Sequence, residues 1–204
     1  MSERLSLLFE NYPQLEGCHS DILAAAELLK HCYQEGGKLL LCGNGGSAAD
    51  ADHIAGELLK GFQSKRPLAS EDRDRLGEAL ASQLEGALPA IPLTSFPALG
   101  SAYANDVDGD YTFAQLTWGL GQPGDVLWGL STSGNSANVL HAARVAKAKG
   151  MKVFGMTGSK SNPLAEIADL CIQVPSEETF RIQEFHLPVY HTLCLLLEDA
   201  FFPG

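Results

Sequence analysis

Short apolar runs alternate with longer stretches of mixed polarity along most of the chain. Each apolar run is only a few residues long and is bounded by glycine, proline or polar residues, which is typical of a strand buried on both faces of a sheet. Five such strands are predicted, at residues 38–42, 88–93, 125–130, 152–156 and 170–174. The stretches between and after them predict helices at residues 48–62, 95–104, 136–149 and 178–200.

A further helix precedes the first strand. Ser20 is the candidate N-cap of this helix over residues 21–34, whose apolar positions recur with the helical period, and Gly36 and Gly37 end it. Strands separated by helices form a parallel sheet with right-handed crossovers. The sequence therefore predicts an α/β fold: a doubly wound, five-stranded parallel sheet with helices on both faces and an N-terminal helical extension. Ligands bind beyond the carboxyl ends of the strands in such sheets, which points to the loops after strands one and three.

Length and composition limit the classes of protein to consider. A chain of 204 residues is long enough for one buried domain, spanning residues 1–204, and too short for two ordinary ones. No apolar run approaches the ~20 residues that span a bilayer, and the first residues lack a signal-peptide pattern, so we expect a cytoplasmic protein without a membrane partner. The net charge of -11 argues against a nucleic-acid partner, although backbone N–H groups can still hold a small anion.

The five cysteines are scattered and form no C-x-x-C pair, which favours free thiols in a reducing compartment. Cys42 lies beside the first candidate loop, and we interpret it as a core residue.

The first candidate loop is Gly43-Asn-Gly-Gly-Ser47, which lies between a predicted strand and a predicted helix. Glycines let the backbone approach a ligand, and the serine hydroxyl can hydrogen-bond it. The loop is not a P-loop, because no Gly-Lys-Ser/Thr follows. It matches the dinucleotide pattern loosely, but the second strand lacks the acidic residue expected at its end, so a nicotinamide cofactor is disfavoured.

The second candidate loop is Ser131-Thr-Ser-Gly-Asn-Ser136, again between a strand and a helix. Its clustered hydroxyls and the N–H groups of the following helix predict a phosphate site. A single serine there could instead be an ordinary helix cap. Two such loops at strand ends favour the phosphate site.

Candidate acid–base residues follow these loops. His53 and Glu57 are four residues apart and so share a helix face, and the last helix carries Gln183, Glu184, His186 and His191. Aldose–ketose interconversion needs a base that moves a proton between adjacent carbons, and an acid or metal that supports the oxygen. Each histidine alone is more often structural; together with the loops, we favour catalytic or metal-binding roles for His53, Glu57 and His191.

The two loops resemble those of the sugar isomerase (SIS) family of phosphosugar-binding domains, whose fold is flavodoxin-like. The His-x-x-x-Glu pair after the first loop, and the Arg-Ile-Gln-Glu-x-His run of the last helix, are similar to the branch that interconverts sedoheptulose 7-phosphate and D-glycero-D-manno-heptose 7-phosphate through an enediol. The resemblance covers nearly the whole chain, as a single SIS domain.

This resemblance implies roles for individual residues. Glu57 would be the base and His191 the acid. Zn²⁺ would be bound, one ion per subunit, by His53, Glu57, Gln183 and His191. The substrate pocket would be lined by Asn44, Gly45, Gly46, Ser47, Glu57, Asn105, Asp106, Ser131, Thr132, Ser133, Ser136 and Gln183. Gln183 and His191 are eight residues apart, ~12 Å along a straight helix, so a kink at Pro188 or a ligand from another subunit would be needed.

Two features depart from the family pattern. Residues 68–87 form an insertion, predicted as one amphipathic helix capped by Ser70, whose role could be a lid, a subunit contact or a solvated addition. Phe180 stands where some members have an aspartate, which could alter the choice of substrate.

Alternatives remain open at this point. SIS domains include non-catalytic regulators and adaptors, which have no need of Glu57 and His191, and isomerases or deaminases of other sugar phosphates, which share the same loops. The apolar leading and last helices predict an oligomer, and the resemblance implies a homotetramer with active sites between subunits.

Overall fold

The computed structural model describes residues 3–203. The chain begins with two helices, α1 (Glu3–Asn11) and α2 (His19–Gln34), joined by a 3₁₀ turn at Pro13–Cys18. The strands are β1 (Leu39–Cys42), β2 (Ala90–Pro92), β3 (Val126–Leu130), β4 (Lys152–Thr157) and β5 (Leu170–Gln173). The later helices are α3 (Gly46–Leu59), α4 (Ser70–Leu76), α5 (Glu78–Ala81), α6 (Pro97–Asp106), α7 (Thr112–Leu120), α8 (Ala137–Ala148), α9 (Pro163–Ile167) and α10 (Thr179–Phe201).

The five strands form one parallel sheet in the order β2-β1-β3-β4-β5, so the predicted α/β fold is confirmed. Strand β2 lies on one side of β1, and β3 lies on the other side of β1, so the direction of strand addition reverses after β2. The crevice between β1 and β3 is therefore the topological switch point, where ligands bind in this class of fold. Cys42 is paired with Gly129 at this point, so the loops that follow the two strands start side by side.

Alternating strand residues face two separate cores. Leu39, Leu41 and Trp128 belong to the core under α1, α2, α3 and α10, whereas Leu40 and Leu127 belong to the core under α7, α8 and α9. Burial on both faces is why each strand is an almost uninterrupted apolar run. No helix within residues 3–203 is both long and apolar enough to cross a membrane.

Several local predictions were wrong. Ser20 lies inside α2, which begins at His19 without a side-chain cap. Helix α7 was not predicted: Phe113 and Leu116 are buried there, and packing on α8 compensates for its weak intrinsic helix preference. Asn105 and Asp106 end α6 rather than following it.

The insertion at residues 68–87 contains two short helices rather than one. Gly77, at φ 77°, ends α4 and starts α5, a backbone conformation that breaks the predicted helix. Ser70 is the first residue of α4 and caps nothing, since the N-cap position is Ala69. Leu76, Leu80 and Leu84 are exposed, so the insertion packs only partly against the domain.

The five cysteines are free thiols. Burial raises the pKa of Cys42 to about 12 and the pKa of Cys32 to about 11. Cys42 is completely buried in the second core, as its interpretation as a core residue predicted.

His186 is expected to make the fold sensitive to mild acid. The ring is fully buried, its Nε2 lies 3.5 Å from the carbonyl oxygen of Thr157, and its Nδ1 has no partner within the described residues. Burial lowers the pKa of His186 to about 4, while the contact with Thr157 opposes this. Between about pH 6.5 and pH 4 the unfolded chain therefore binds a proton at this residue that the folded chain does not. As the pH falls through this range, His186 lowers the free energy of unfolding by up to about 1.4 kcal/mol per pH unit.

Urea denaturation at pH 7, 6 and 5 measures this effect. Because carboxylates also titrate as the pH falls, the comparison is with His186→Gln, whose unfolding free energy should fall less steeply between pH 7 and pH 5. Equal slopes for the two proteins would contradict the assignment.

Candidate active site

The loops after β1 and β3 are fastened together by a pair of amides. Asn44 Nδ2 donates to Asn138 Oδ1 at 2.9 Å, and Asn138 Nδ2 donates back to Asn44 Oδ1 at 2.8 Å. Asn138 lies in the first turn of α8, directly after the second loop. The two sequence-predicted loops therefore form one surface at the switch point.

The first loop takes a shape that needs its glycines. Gly45 has φ 56°, and a Cβ on Gly43 would lie 2.6 Å from the carbonyl oxygen of Ser47. Helix α3 starts at Gly46, and Ser47 is buried within its first turn. A Cβ on Gly46 would lie 2.4 Å from Nε2 of Gln183, so the Gln183 side chain rests directly on this loop.

The second loop presents hydroxyls in a compact turn. The hydroxyls of Ser131 and Ser136 lie 3.0 Å apart, and Ser133 Oγ accepts the N–H of Asn135 at 3.2 Å. Beside this loop lies a cavity of about 180 Å³ whose lining includes Thr132, Ser133, Ser159 and Ser176. Hydroxyls near the N-terminus of α8 suit an anionic group.

Gly134→Ala is expected to damage this loop. Gly134 has φ 64°, and a Cβ there would lie 1.9 Å from Oδ1 of Asn162. Asn162 cannot easily yield, because it is buried, accepts the N–H of Ala165 at 2.9 Å and donates to Thr157 Oγ1 at 3.1 Å. Titration with inorganic phosphate should show an affinity at least about tenfold weaker, the result of a small misplacement of the hydroxyls. Gly119→Ala, where a Cβ meets nothing within 4 Å, is the matched control; equal weakening in both would contradict the prediction.

The acid–base candidates meet where α3 packs on α10. His53 Nε2 lies 3.2 Å from Glu57 Oε1, and the His53 and His191 ring centroids are 4.9 Å apart. Lys60 Nζ donates to the other oxygen of Glu57 at 3.1 Å. The Glu57 side chain is 14% exposed, so its carboxylate is shielded but can still be reached. These three predicted residues therefore form one group.

The surroundings of His191 favour the neutral form of its ring. Burial, with the neighbouring His53, lowers the pKa of His191 below its ordinary value, and Glu57 opposes this only partly. Its Nε2 is buried and has no hydrogen-bond partner within the described residues. A buried ring nitrogen without a partner is one that a ligand, proton acceptor or metal ion can use.

The sequence did not reveal two further polar residues beside this group. Tyr190 Oη lies 3.0 Å from Nδ1 of His53 and donates to Oδ1 of Asp50 at 3.3 Å. Burial raises the pKa of Asp50, and its second oxygen is buried without a partner within residues 3–203. Asp50 and His53 lie one turn apart on α3, which is a readable signal, but nothing in the sequence places Tyr190, which is 140 residues away from Asp50, next to them.

Three further predicted residues, Asn105, Asp106 and Gln183, are not part of the group formed by His53, Glu57 and His191. Asn105 Nδ2 donates to Asp106 Oδ1 at 2.8 Å at the exposed end of α6, so the two side chains bind each other. Gln183 lies beside Gly46 at the start of α3, whereas His191 lies beside His53, about two helical turns further along. Within residues 3–203, no three His, Cys, Asp or Glu side chains converge as a ready ligand set for a metal ion.

Comparisons with known proteins agree with the fold and identify the family. The SIS domain family matches residues 13–85 and 75–158. A phosphoheptose isomerase from Rhodospirillum rubrum is 42% identical over 187 residues, which cover 92% of this chain and 89% of that protein. Another from Thiobacillus denitrificans is 46% identical over 172 residues, covering 83% and 78% of the two chains.

Solved structures give the same result. The phosphoheptose isomerase from Neisseria gonorrhoeae aligns with a TM-score of 0.77 and 33% identity, covering 97% of this chain and 98% of that one. The enzyme from Francisella tularensis aligns with a TM-score of 0.79 and 29% identity, covering 98% and 100%.

Proposed function

The chain belongs to the phosphoheptose isomerases of the SIS domain family, and we propose that it interconverts sedoheptulose 7-phosphate and D-glycero-D-manno-heptose 7-phosphate through an enediol. The observation that carries the proposal is the meeting of His53, Glu57 and His191 between α3 and α10. A non-catalytic phosphosugar sensor has no need of a shielded carboxylate beside a neutral imidazole. Both groups are those required for proton transfer between adjacent carbons.

Glu57 is the proposed base. Its carboxylate takes the proton from the carbon next to the substrate carbonyl and returns it to the neighbouring carbon. His191 supplies a proton to the carbonyl oxygen, which becomes a hydroxyl, and takes back the proton of the adjacent hydroxyl, which becomes the new carbonyl. A lowered pKa favours the neutral form of the His191 ring at pH 7. A neutral imidazole has one N–H group that can donate its proton to a substrate oxygen. Lys60 donates to Oε2 of Glu57 and so holds the carboxylate in place, and Nε2 of His53 lies 3.2 Å from its other oxygen.

The phosphate is proposed to bind at the loops of residues 43–47 and 131–136. One protomer does not bring these loops close to its own Glu57, because Glu57 lies eleven residues after Gly46 on α3, ~16 Å along the helix axis. A heptose 7-phosphate spans only about 9 Å between its phosphate and its reacting carbons, at ~1.3 Å of reach per bond. This mismatch supports an active site shared between subunits, in which the loops of one subunit face the acid–base group of another. A homotetramer is the assembly that the family resemblance implies, and we propose it here.

Zinc is the proposed cofactor, with His53, Glu57 and His191 as ligands. Gln183 is the predicted fourth; because it lies beside Gly46, about two helical turns from His53, it would have to come from another subunit. Nitrogen and oxygen donors suit Zn²⁺, and the 3.2 Å between His53 Nε2 and Glu57 Oε1 is close to the ~3.3 Å expected between neighbouring ligands of a tetrahedral ion. The unpartnered Nε2 of His191 supports the same set. When bound, zinc would polarise a substrate oxygen as a Lewis acid. His191 has two ring nitrogens, so one can bind the ion and the other can carry a proton.

The five free thiols also support a cytoplasmic location, because unpaired cysteines persist in a reducing compartment.

Incubation of the purified protein with sedoheptulose 7-phosphate, with and without added Zn²⁺, tests the function. Formation of the aldose heptose phosphate, seen by NMR of its anomeric proton, is the expected result. Glucosamine 6-phosphate and fructose 6-phosphate serve as competing substrates. Binding of sedoheptulose 7-phosphate without turnover would overturn the isomerase assignment, and turnover of an amino sugar phosphate alone would overturn the substrate.

A further inference from the structure

Asp50, Tyr190 and His53 form a chain of hydrogen bonds that ends at the proposed metal site. The Tyr190 hydroxyl has one proton, and it donates this proton to Oδ1 of Asp50 at 3.3 Å. The same hydroxyl oxygen lies 3.0 Å from Nδ1 of His53. With its proton directed at the carboxylate, the hydroxyl can only accept from His53, so Nδ1 of that ring carries a hydrogen.

The direction of this chain decides what the other side of the His53 ring can do. A neutral imidazole with a proton on Nδ1 has a lone pair on Nε2. This lone pair faces Glu57 Oε1 at 3.2 Å, and a carboxylate oxygen is also an acceptor. Two acceptors at this distance repel each other unless a cation or a proton lies between them. A metal ion bound by both atoms would remove this repulsion, so the direction of the hydrogen-bond chain suits His53 to bind a metal ion rather than to donate to Glu57.

We propose that Asp50 and Tyr190 are positioning residues that set the tautomer of His53, so that its Nε2 is free to bind the metal ion. This inference rests on the zinc site of the proposed function. A carboxylate that orients a metal-binding histidine is a general device, since it fixes the ring and raises the basicity of the ligand nitrogen. In this protein the carboxylate of Asp50 acts through the Tyr190 hydroxyl, which lies between the carboxylate and the His53 ring.

The surroundings favour this arrangement. Tyr190 is almost fully buried, with 1% of its surface exposed, so water does not compete for its hydroxyl. Its ring packs edge-on against His53, with centroids 5.6 Å apart, which also restrains the imidazole. One oxygen of Asp50 is buried without a hydrogen-bond partner among the described residues. A buried acceptor without a partner lowers the stability of the fold. A role in orienting His53 accounts for its presence.

The first test is the affinity for zinc, measured by competition with a chromophoric chelator. Tyr190→Phe removes only the hydroxyl, and Asp50→Asn removes the charge that draws the tyrosine proton away from His53. Each variant is expected to bind zinc about 10- to 100-fold more weakly than wild type. Tyr33→Phe is the matched control, because it removes another buried tyrosine hydroxyl, one that donates to the carbonyl oxygen of Pro89. Unchanged affinity in Tyr190→Phe would overturn the proposal.

The second test needs neither zinc nor activity. In metal-free protein labelled with ¹⁵N-histidine, two-bond and three-bond ¹H–¹⁵N correlations report which ring nitrogen carries the proton, and the His53→Gln spectrum identifies the signals of His53. Wild type should show a protonated Nδ1, and this preference should be lost in Tyr190→Phe. A wild-type His53 protonated only on Nε2 would overturn the inference.

The two tests separate this inference from the proposed function. If wild type binds no zinc while the predicted tautomer and its loss in Tyr190→Phe are observed, the metal site fails and the positioning role stands. If wild type binds zinc and both variants bind it equally well, the metal site stands and the positioning role fails. Thermal unfolding of each variant identifies any loss of affinity that comes from misfolding.

Discussion

Glu57→Gln is expected to lower kcat/KM by about 10²- to 10⁴-fold, the usual contribution of a positioned general base. Glutamine has nearly the same size as glutamate, so the packing around α3 is kept and only the negative charge beside Lys60 is lost. It cannot accept a proton from carbon, and the chemical step should fail. Because the sugar phosphate is held chiefly by the hydroxyl-rich loops, KM should change much less than kcat.

The measurement is steady-state turnover of sedoheptulose 7-phosphate by wild type, Glu57→Gln and Glu35→Gln. Glu35 is exposed and follows α2 just before β1, at the edge of the sheet opposite the loops, so its variant should retain wild-type activity. Zinc content is determined in parallel, because Glu57 is also a proposed ligand. A metal-loaded Glu57→Gln protein that keeps more than a tenth of the wild-type kcat would rule out Glu57 as the base.

Arg66→Met is expected to destabilise the fold by about 3–5 kcal/mol, the cost of removing one partner from a buried ion pair. Arg66 is fully buried and Glu198 is 1% exposed; Arg66 Nε donates to Glu198 Oε1 at 2.8 Å. The guanidinium also donates to the carbonyl oxygens of Leu58 and Glu57, the last turn of α3, at 2.8 and 3.0 Å. Methionine fills much of the same space, so the loss reports the charge and the hydrogen bonds rather than a cavity.

Glu198 explains why this pair is costly to break. Burial raises its pKa, but the N–H groups of Phe62, Gln63 and Ser64 and the guanidinium outweigh burial, so the pKa of Glu198 lies below its ordinary value. The charge therefore stays in place when Arg66 is removed. Urea denaturation measures the effect, with Arg73→Met as the control, since its partner Glu78 is exposed and such pairs contribute about 0–1 kcal/mol. A loss below about 1 kcal/mol in Arg66→Met would contradict the prediction.

The sheet was predictable because its strands carry a strong local signal. Each of the runs Leu39–Cys42 and Val126–Leu130 is buried along its whole length, and a parallel sheet covered on both faces requires such runs. The two loops were equally readable, since glycines and serines between a strand and a helix have a direct conformational meaning.

Features that depend on tertiary packing were not predictable. Helix α7 begins with Thr112 and Phe113, which are not strong helix formers, and it is stabilised by contact with α8. The break between α4 and α5 could not be predicted, because it depends on the positive φ of Gly77. Tyr190 is read from the sequence as another apolar residue of α10, and only the packing of α10 on α3 brings its hydroxyl to His53 and Asp50.

The burial of the cysteines has a practical consequence for covalent labelling. Alkylating reagents attack the thiolate, and the raised pKa values of Cys32, Cys42 and Cys171 leave almost none of it at neutral pH. A maleimide or iodoacetamide reaction at the buried Cys32 and Cys42 would therefore proceed only as fast as the domain opens, whereas Cys171 is only partly buried. The rate of labelling of these buried thiols in urea-free buffer would therefore measure the rate of spontaneous unfolding. A fluorophore for distance measurements needs a cysteine introduced at the surface.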